Sequence, residues 1–544
     1  MKRLRFNASY IKGNIYGGIT AGVIALPLAL AFGVASGMGA AAGLYGAIIV
    51  CFFASVFGGT KTQISGPTGP MTVVVASVIA MYPNNPKIIC ATICLAGIFQ
   101  IVLGLVKVGD LIKYVPYPVI SGFMSGVGAI IVLLQINPLF GHAAYGNVLQ
   151  TVKSYFHILS DVNIQCLILG VLTLAIVYFT PKKLDKIVPS SLLALVVVTI
   201  IAILAKFNVP VIGDIPTGLP KFQLGMLSLK ELYSILPVAL TLGVLGSIDS
   251  LLTSLVADSM TRTKHNSSRE LIGQGLGNAV AGMFGGLAGA GATMRTAVNI
   301  KSGGTDRLSG VVHCILLAVI LMFLAPVASK IPLCVLSAIL IKVGFDIIDY
   351  KFLAVAKSVP RRELIVMTVV FLLTVFYDLI FAVAVGIVLA SILFAASVSD
   401  STNVSAVNLE QIDDVNEDIF DDERYKKLIS FIRIDGAFFF GSSACVLNQI
   451  EKSTHGIKCL VLYCKRVVTI DVSAIFVLEE IIERFESRGV KVILVMKDWA
   501  MVDKILQAGL SKILSADNFA FSKETALLKA KRMVRHYLED HSEK

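Results

Sequence analysis

The chain has 544 residues, 56% of them hydrophobic and only 15% charged, with a mean hydropathy of +0.81, which excludes a soluble globular protein. The formal net charge is +11. Residues 1–404 hold 27 Lys and Arg against 14 Asp and Glu (net +13) and residues 405–544 hold 20 against 22 (net −2), so the basic excess belongs to the apolar part and does not point to nucleic acid.

The chain opens on a basic stretch, MKRLRFNASYIKGN, followed by an apolar run that contains Pro27 and leads into further apolar segments. This pattern predicts a first transmembrane helix, not a cleaved signal peptide. Crossing a bilayer takes about 20 apolar residues. Full-length spans are predicted at 14–36, 40–58, 86–107, 118–136, 164–180, 188–206, 233–258, 270–288, 308–326, 331–347, 363–380 and 381–398. Two shorter apolar stretches, 68–82 and 293–300, each follow a loop rich in Gly, Pro or Ala, and raise the count to fourteen. The nine cysteines form no CxxC pair and several fall inside apolar segments (Cys51, Cys90, Cys94, Cys314), so they suggest small core residues rather than a disulfide framework or a zinc site.

The positive-inside rule tests this count, because omitting a segment inverts every later loop. With the N-terminus inside, the cytoplasmic loops collect twenty Lys and Arg, among them Lys61, Lys107, Arg262, Arg269, Arg307, Arg361 and Arg362. The outer loops hold six: Lys87, Lys153, Lys206, Lys221, Lys230 and Lys330. Both termini are therefore expected in the cytoplasm, with the chain in the cell membrane.

The short segments are third and tenth, so the spans divide as seven plus seven, and an odd number per half forces the halves into opposite orientation. Short, interrupted segments at matching positions of inverted halves point to a transporter's binding site. GPTGPMT (66–72) and GAGATMRT (289–296) share an order of small residues, Thr and Met at the head of a half-helix. Such a head exposes unpaired N–H groups and the positive end of its dipole, and can hold an anion. Thr68 is expected to cap the first, leaving the amides of Gly69, Met71 and Thr72 free, while Thr293 would cap the second, leaving those of Met294 and Arg295. A packing kink or a re-entrant loop is the alternative.

Arg295 is the only basic residue this topology leaves inside the bilayer, where a charge costs at least about 2.5 kcal/mol, so function is its default explanation. The alternative is a structural partner for Asp249, midway along the eighth span in LTLGVLGSIDSLLTSLVAD. Thr253 falls on the same face as Asp249, whereas Asp258, nine residues on, points away and lies near the cytoplasmic end. Beside an anion site, Asp249 is either protonated or a ligand for a hard cation. For sodium, Asp249, Thr253 and the carbonyls of Gly291, Ala292 and Thr293 offer oxygen ligands.

After Ser399 comes an acidic stretch expected to be a solvated linker (400–427), then a small α/β domain (428–544) with strands near 429–435, 458–463 and 490–496 and helices near 441–453, 474–487, 499–508 and 522–538. It shows no phosphate loop, catalytic triad or metal spacing, and reads as regulation or assembly. Residues 1–399 form the membrane domain.

LPLALAFGVASG (26–37), ISGPTGPM (64–71), ELIGQGLGNAVAGMFGG (270–286) and GAGATMRT (289–296) together resemble the sulfate permease family of anion transporters. IDGAFFFGS (434–442) and IDVSA (470–474) are similar to a STAS domain. The resemblance implies an α-helical membrane protein of fourteen spans as an inverted repeat. A core domain (spans 1–4 and 8–11) would move against a gate domain, usually in a homodimer. Within the family the chain is most similar to sodium-dependent bicarbonate transporters of the cyanobacterial type. Their sodium site, an Asp and a Thr four apart on the eighth span with a Gly-Ala-Thr run before the tenth, corresponds here to Asp249, Thr253, Gly291, Ala292 and Thr293; Pro27-Leu28, where many sulfate-type members have Pro-Gln, leans the same way. The resemblance also implies no enzymatic activity, no cofactor beyond a co-transported sodium ion, a position at Ser473 that is phosphorylated in stand-alone STAS proteins, and acyl carrier protein as a partner of the tail in related bacteria. The expectation is sodium-coupled bicarbonate uptake. Its rivals are a proton-coupled carrier of sulfate or a dicarboxylate, a sensor signalling through the STAS tail, and an anion channel.

Overall fold

The structure is a computed structural model. It describes residues 8–542 apart from 84, 111–114, 144–147, 159–160, 182–183, 185–187, 214–217, 219, 226–227, 378, 401, 408, 410–422 and 453–455. It divides into two compact units, Met1–Val388 and Leu389–Lys544.

Fourteen helices occupy the predicted spans: Ala8–Ser36, Ala40–Phe57, Gly69–Met81, Pro86–Leu105, Tyr117–Leu139, Ile164–Phe179, Ser190–Leu204, Leu229–Thr261, Ser267–Met283, Thr293–Lys301, Leu308–Ala328, Leu333–Ile347, Arg361–Phe376 and Leu379–Asp400. They run as two inverted halves of seven. The third and tenth, at 13 and 9 residues, are about 20 and 14 Å long and fall well short of the hydrocarbon thickness. Matching positions share their start signals: the fifth and twelfth spans both begin directly after an extended proline cap, Pro116 and Pro332. A proline at the cap disfavours helical geometry in the residue before it, so the helix cannot extend further towards its N-terminus.

The contacts sort the spans into two groups. The ninth packs against the second and fourth, the eighth against the fourth, and the first against the second and eleventh. The fifth packs against the twelfth and thirteenth, and the sixth against the seventh and twelfth. Close approach within the first group comes from small residues, as expected where lipid removes the hydrophobic incentive for helices to associate. A Cβ at Gly275 would lie 2.5 Å from the Gly97 carbonyl oxygen, and one at Gly97 2.5 Å from that of Gly275, so the fourth and ninth spans touch backbone to backbone.

Three differences from expectation fall in the spans, their connections and the segment that follows them. The ninth span ends at Met283 rather than 288: Gly285 adopts φ +69°, and the chain runs on extended. An amphipathic helix, Val148–Ile158, lies between the fifth and sixth spans, too short and too polar on one face to register as a span. The stretch expected to be an acidic linker opens with a strand, β3 (Asn403–Val407); most of its remainder lies outside the described residues.

The second unit has a sheet ordered β3-β4-β5-β7-β8 and built from β3, β4 (Ile429–Phe438), β5 (Cys459–Tyr463), β7 (Lys491–Val495) and β8 (Phe519–Ala520), with β6 (Val467–Ile470) paired to β4. Only β3 is antiparallel to its neighbour. Period-2 alternation splits each strand between two cores. Ile432, Leu460, Leu462, Val492 and Leu494 face helices Phe440–Lys452, Val472–Glu486 and Trp499–Gln507, while Phe431, Val461 and Ile493 meet Ala526, Leu527, Ala530 and Val534 of Lys523–Ser542. Burial pushes the Cys459 and Cys464 thiols up to about 12, so both act as small hydrophobes. Helices match the four predicted in the tail; the short strands β6 and β8 were not anticipated.

Gly275→Val should force the fourth and ninth spans apart at a cost of about 1–3 kcal/mol. The expected outcome is a lower melting temperature of the purified membrane protein, followed by loss of the monodisperse peak in size-exclusion chromatography after heating.

Candidate functional site

The two breaker stretches meet. β1 (Ser65–Gly66) pairs antiparallel with β2 (Ala290–Gly291), Ser65 opposite Gly291 and Gly66 opposite Ala290. The Ala292 amide extends the ribbon by donating to the Ile64 carbonyl at 2.9 Å. Immediately beyond it both half-helices begin. Glycine is required at two points. Gly66 has φ +146°, and its missing Cβ would fall 2.8 Å from Arg295 Nη1; a Cβ at Gly291 would lie 2.2 Å from Gln63 Nε2.

At the first head Thr68 is the cap residue, as expected, but its side chain makes no capping bond. Its Oγ1 is a buried polar atom without a hydrogen-bond partner. The Gly69 and Met71 amides sit in the first turn, where a helix offers no acceptor. The Thr72 amide is not free: it donates to the Thr68 carbonyl at 3.0 Å, and so does its hydroxyl at 2.8 Å. The Met71 side chain is fully buried against Gly246. At the second head the cap is Ala292, one residue earlier than expected, so Thr293 opens the helix and its amide joins those of Met294 and Arg295. Thr293 and Met294 are exposed.

Arg295 is buried, 2% exposed, and lies across the ribbon: Nη2 donates to the Pro67 carbonyl, and Nη1 has no hydrogen-bond partner. It forms no ion pair with Asp249. Asp249 is 7% exposed, with Thr68 and Arg295 as polar neighbours, and its Oδ2 is buried without a partner. One turn on, Thr253 Oγ1 donates to the Gly291 carbonyl at 2.9 Å and lies 2.7 Å from Thr293 Oγ1. The Ala292 carbonyl accepts the Thr296 amide at 2.9 Å. Thr253, Gly291 and Thr293 thus bring hydroxyl and carbonyl oxygens together, with the Asp249 carboxylate one turn before Thr253 on the eighth span, oxygen chemistry of the kind a hard cation takes. Amides, the Thr68 hydroxyl and a guanidinium N–H suit an anion. Asp258 belongs elsewhere: it pairs with His265 Nδ1 at 2.7 Å and holds the turn after the eighth span.

The sequence reading missed what holds the ribbon in place. Glu270, Gln274 and Asn278 recur every four residues on the apolar ninth span, all with no exposed surface. Glu270 accepts from the Gly59 and Thr60 amides at 2.8 Å each and from Gln63 Nε2 and Gln274 Nε2 at 2.9 Å each. Gln274 Nε2 also donates to Ser65 Oγ, and Asn278 bonds both the amide and the carbonyl of Gly289 at 2.8 Å. Ser254 Oγ donates to Gln63 Oε1 at 2.9 Å, linking the eighth span to the same network. The signal was available: three polar residues at i, i+4 and i+8 in a membrane helix form a stripe that needs partners. Ser473 is exposed in the first turn of Val472–Glu486, which Asp471 caps through the Ala474 amide at 2.8 Å.

Residues 11–370 match the sulfate permease family model and residues 422–526 the STAS domain model. The bicarbonate transporter BicA of Synechocystis sp. is 43% identical over 461 residues, covering 82% of this chain and 81% of its own. The solved transmembrane domain of a cyanobacterial bicarbonate transporter BicA is 49% identical with a TM-score of 0.66, over 69% of this chain and 97% of that one. The murine anion transporter Slc26a9, in its inward-facing state, shares the fold alone: TM-score 0.83 at 20% identity, over 96% of this chain and 92% of that one. With its paired half-helices, fourteen spans and terminal α/β unit, the chain belongs to the sulfate permease family of anion transporters and has a STAS domain.

Proposed function

We propose that this protein takes up bicarbonate with sodium by alternating access, in the cell membrane with both termini in the cytoplasm. The observation that carries the site is the convergence of Asp249 on the eighth span with Thr68 and Arg295 at the heads of the third and tenth, where three buried polar atoms, Thr68 Oγ1, Asp249 Oδ2 and Arg295 Nη1, lack a hydrogen bond of ordinary geometry. Buried polar groups are almost always paired, so three at one junction argue for ligands. The anion is assigned to the half-helix heads, through the amides of Gly69, Met71, Thr293, Met294 and Arg295 with the Thr68 hydroxyl. Sodium is assigned to Asp249, Thr253, the Gly291 carbonyl and Thr293. Bicarbonate as the anion rests on the names of the similar transporters. The group comprising the first to fourth and eighth to eleventh spans holds every one of these residues and is the moving body.

Uptake of radiolabelled bicarbonate into proteoliposomes tests the reading. A sodium gradient should drive it in the wild type; uptake indifferent to sodium but driven by an acid-outside gradient would replace sodium with the proton. Asp249→Asn should abolish sodium dependence in a protein that still elutes as the wild type does. Thr253→Val removes one hydroxyl ligand and should raise the half-saturating sodium concentration about 10-fold or more, given about 1.5–3 kcal/mol for a hydrogen bond or contact to a charge. Arg295→Ala and Thr68→Val should raise the half-saturating bicarbonate concentration before they affect sodium; unchanged anion affinity in both would place the anion elsewhere.

A further inference from the structure

Next to the ribbon, two helices bring together residues far apart in sequence. Cys51 on the second span meets His313 and Cys314 on the eleventh, and one ligand atom from each lies within 4.8 Å of the others. All three are buried: Cys51 and His313 have no exposed surface and Cys314 has 4%. Cys314 Sγ lies 4.0 Å from His313 Nδ1. Ser55 Oγ stands 3.7 Å from Cys51 Sγ, and the Gly310 carbonyl 3.9 Å from it. Ala21, Ile48 and Ile64 pack around the cluster, and the Ser65 backbone and the Arg295 side chain are its polar neighbours on the ribbon side.

His313 is the anomaly. An imidazole sealed inside a membrane helix bundle is expected to use both ring nitrogens, yet Nε2 has no hydrogen-bond partner. Packing alone explains two small cysteines; it does not explain a buried, half-satisfied histidine between them. Two thiols and an imidazole are the ligand chemistry of a thiophilic d10 metal ion. Tetrahedral zinc needs ligand atoms roughly 3.5–3.8 Å apart, a contraction of about 1 Å or less from the present spacing.

We propose that Cys51, His313 and Cys314 form a structural zinc site joining the second and eleventh spans, with Ser55 Oγ or the Gly310 carbonyl completing the shell. Binding releases the two thiol protons, and two thiolates cancel the charge of Zn²⁺, so the complex is neutral and tolerable in a low-dielectric interior. The second span leads into the loop before β1 and the eleventh follows the tenth, so the metal clamps both approaches to the ribbon.

The test uses the full-length protein, equilibrated with Zn²⁺ in detergent and washed with a chelator. The wild type should retain about one zinc per chain. Zinc-edge X-ray absorption on that sample should show two sulfur ligands at about 2.3 Å. Cys51→Ala and His313→Gln should lose most of the zinc, and Cys90→Ala, which changes a buried membrane cysteine outside the cluster, should keep it. Zinc should also raise the melting temperature of the wild type but not of His313→Gln. No retained zinc in the wild type, a shell of oxygen and nitrogen only, or retention in both cluster variants equal to that of the wild type would overturn the site. The absorption measurement decides even where a variant fails to fold.

Discussion

A bilayer gives backbone N–H and C=O groups no solvent partner, so a chain that breaks its helices at membrane depth must pair them internally. The two-residue ribbon between β1 and β2 meets that demand, and the other features of the core group follow from it. It pairs the backbone of Ser65 and Gly66 with that of Ala290 and Gly291, while Asn278 and Ser250 accept the Gly289 and Gly291 amides where the chain leaves helical geometry. It brings two half-helix heads to one point, and it gives Arg295 a carbonyl to rest on, that of Pro67. The ninth span supplies the outer supports through Gln274 to Ser65 and Asn278 to Gly289.

Two buried carboxylates on neighbouring spans show how satisfaction separates structure from function. Glu270 has four hydrogen-bond donors and no ion pair among the described residues, a saturated anion that ties the 59–63 loop to the ninth span. Asp249, equally enclosed, keeps an oxygen without a donor. Composition does not distinguish them; only the count of donors does. A saturated carboxylate has nothing left to offer a ligand, whereas an unsaturated one beside hydroxyl and carbonyl oxygens does.

Much of the fold was legible in the sequence because membrane helices write their length in hydropathy. The half-helices were legible for the opposite reason, as interruptions: GPTGPM and GAGATM cannot continue a helix. Asp249 and Thr253 followed from helical periodicity. The ribbon did not, because its strands are two residues long and their pairing spans more than two hundred residues. The cap at Ala292 instead of Thr293 depends on the Ala292 amide being claimed by Ile64, a tertiary bond no local pattern encodes. Glu270, Gln274 and Asn278 were visible as a stripe but served only as a family signature until their partners appeared. Likewise, β3 hides at the edge of an acidic segment because five alternating residues look like linker until β4 lies beside them.

Arg295 and Asp249 carry opposite charges beside the same site. Arg295 rests on the Pro67 carbonyl and Asp249 keeps an oxygen without a donor, and together the two add no net charge to the site when both are ionised. On the proposed reading, one sodium ion and one bicarbonate add zero again. The loaded site then carries the same net charge as the empty one, so the membrane potential, worth about 2.3 kcal/mol per elementary charge per 100 mV, does no work on the cargo itself. The sodium concentration difference alone would set how far the anion can be accumulated.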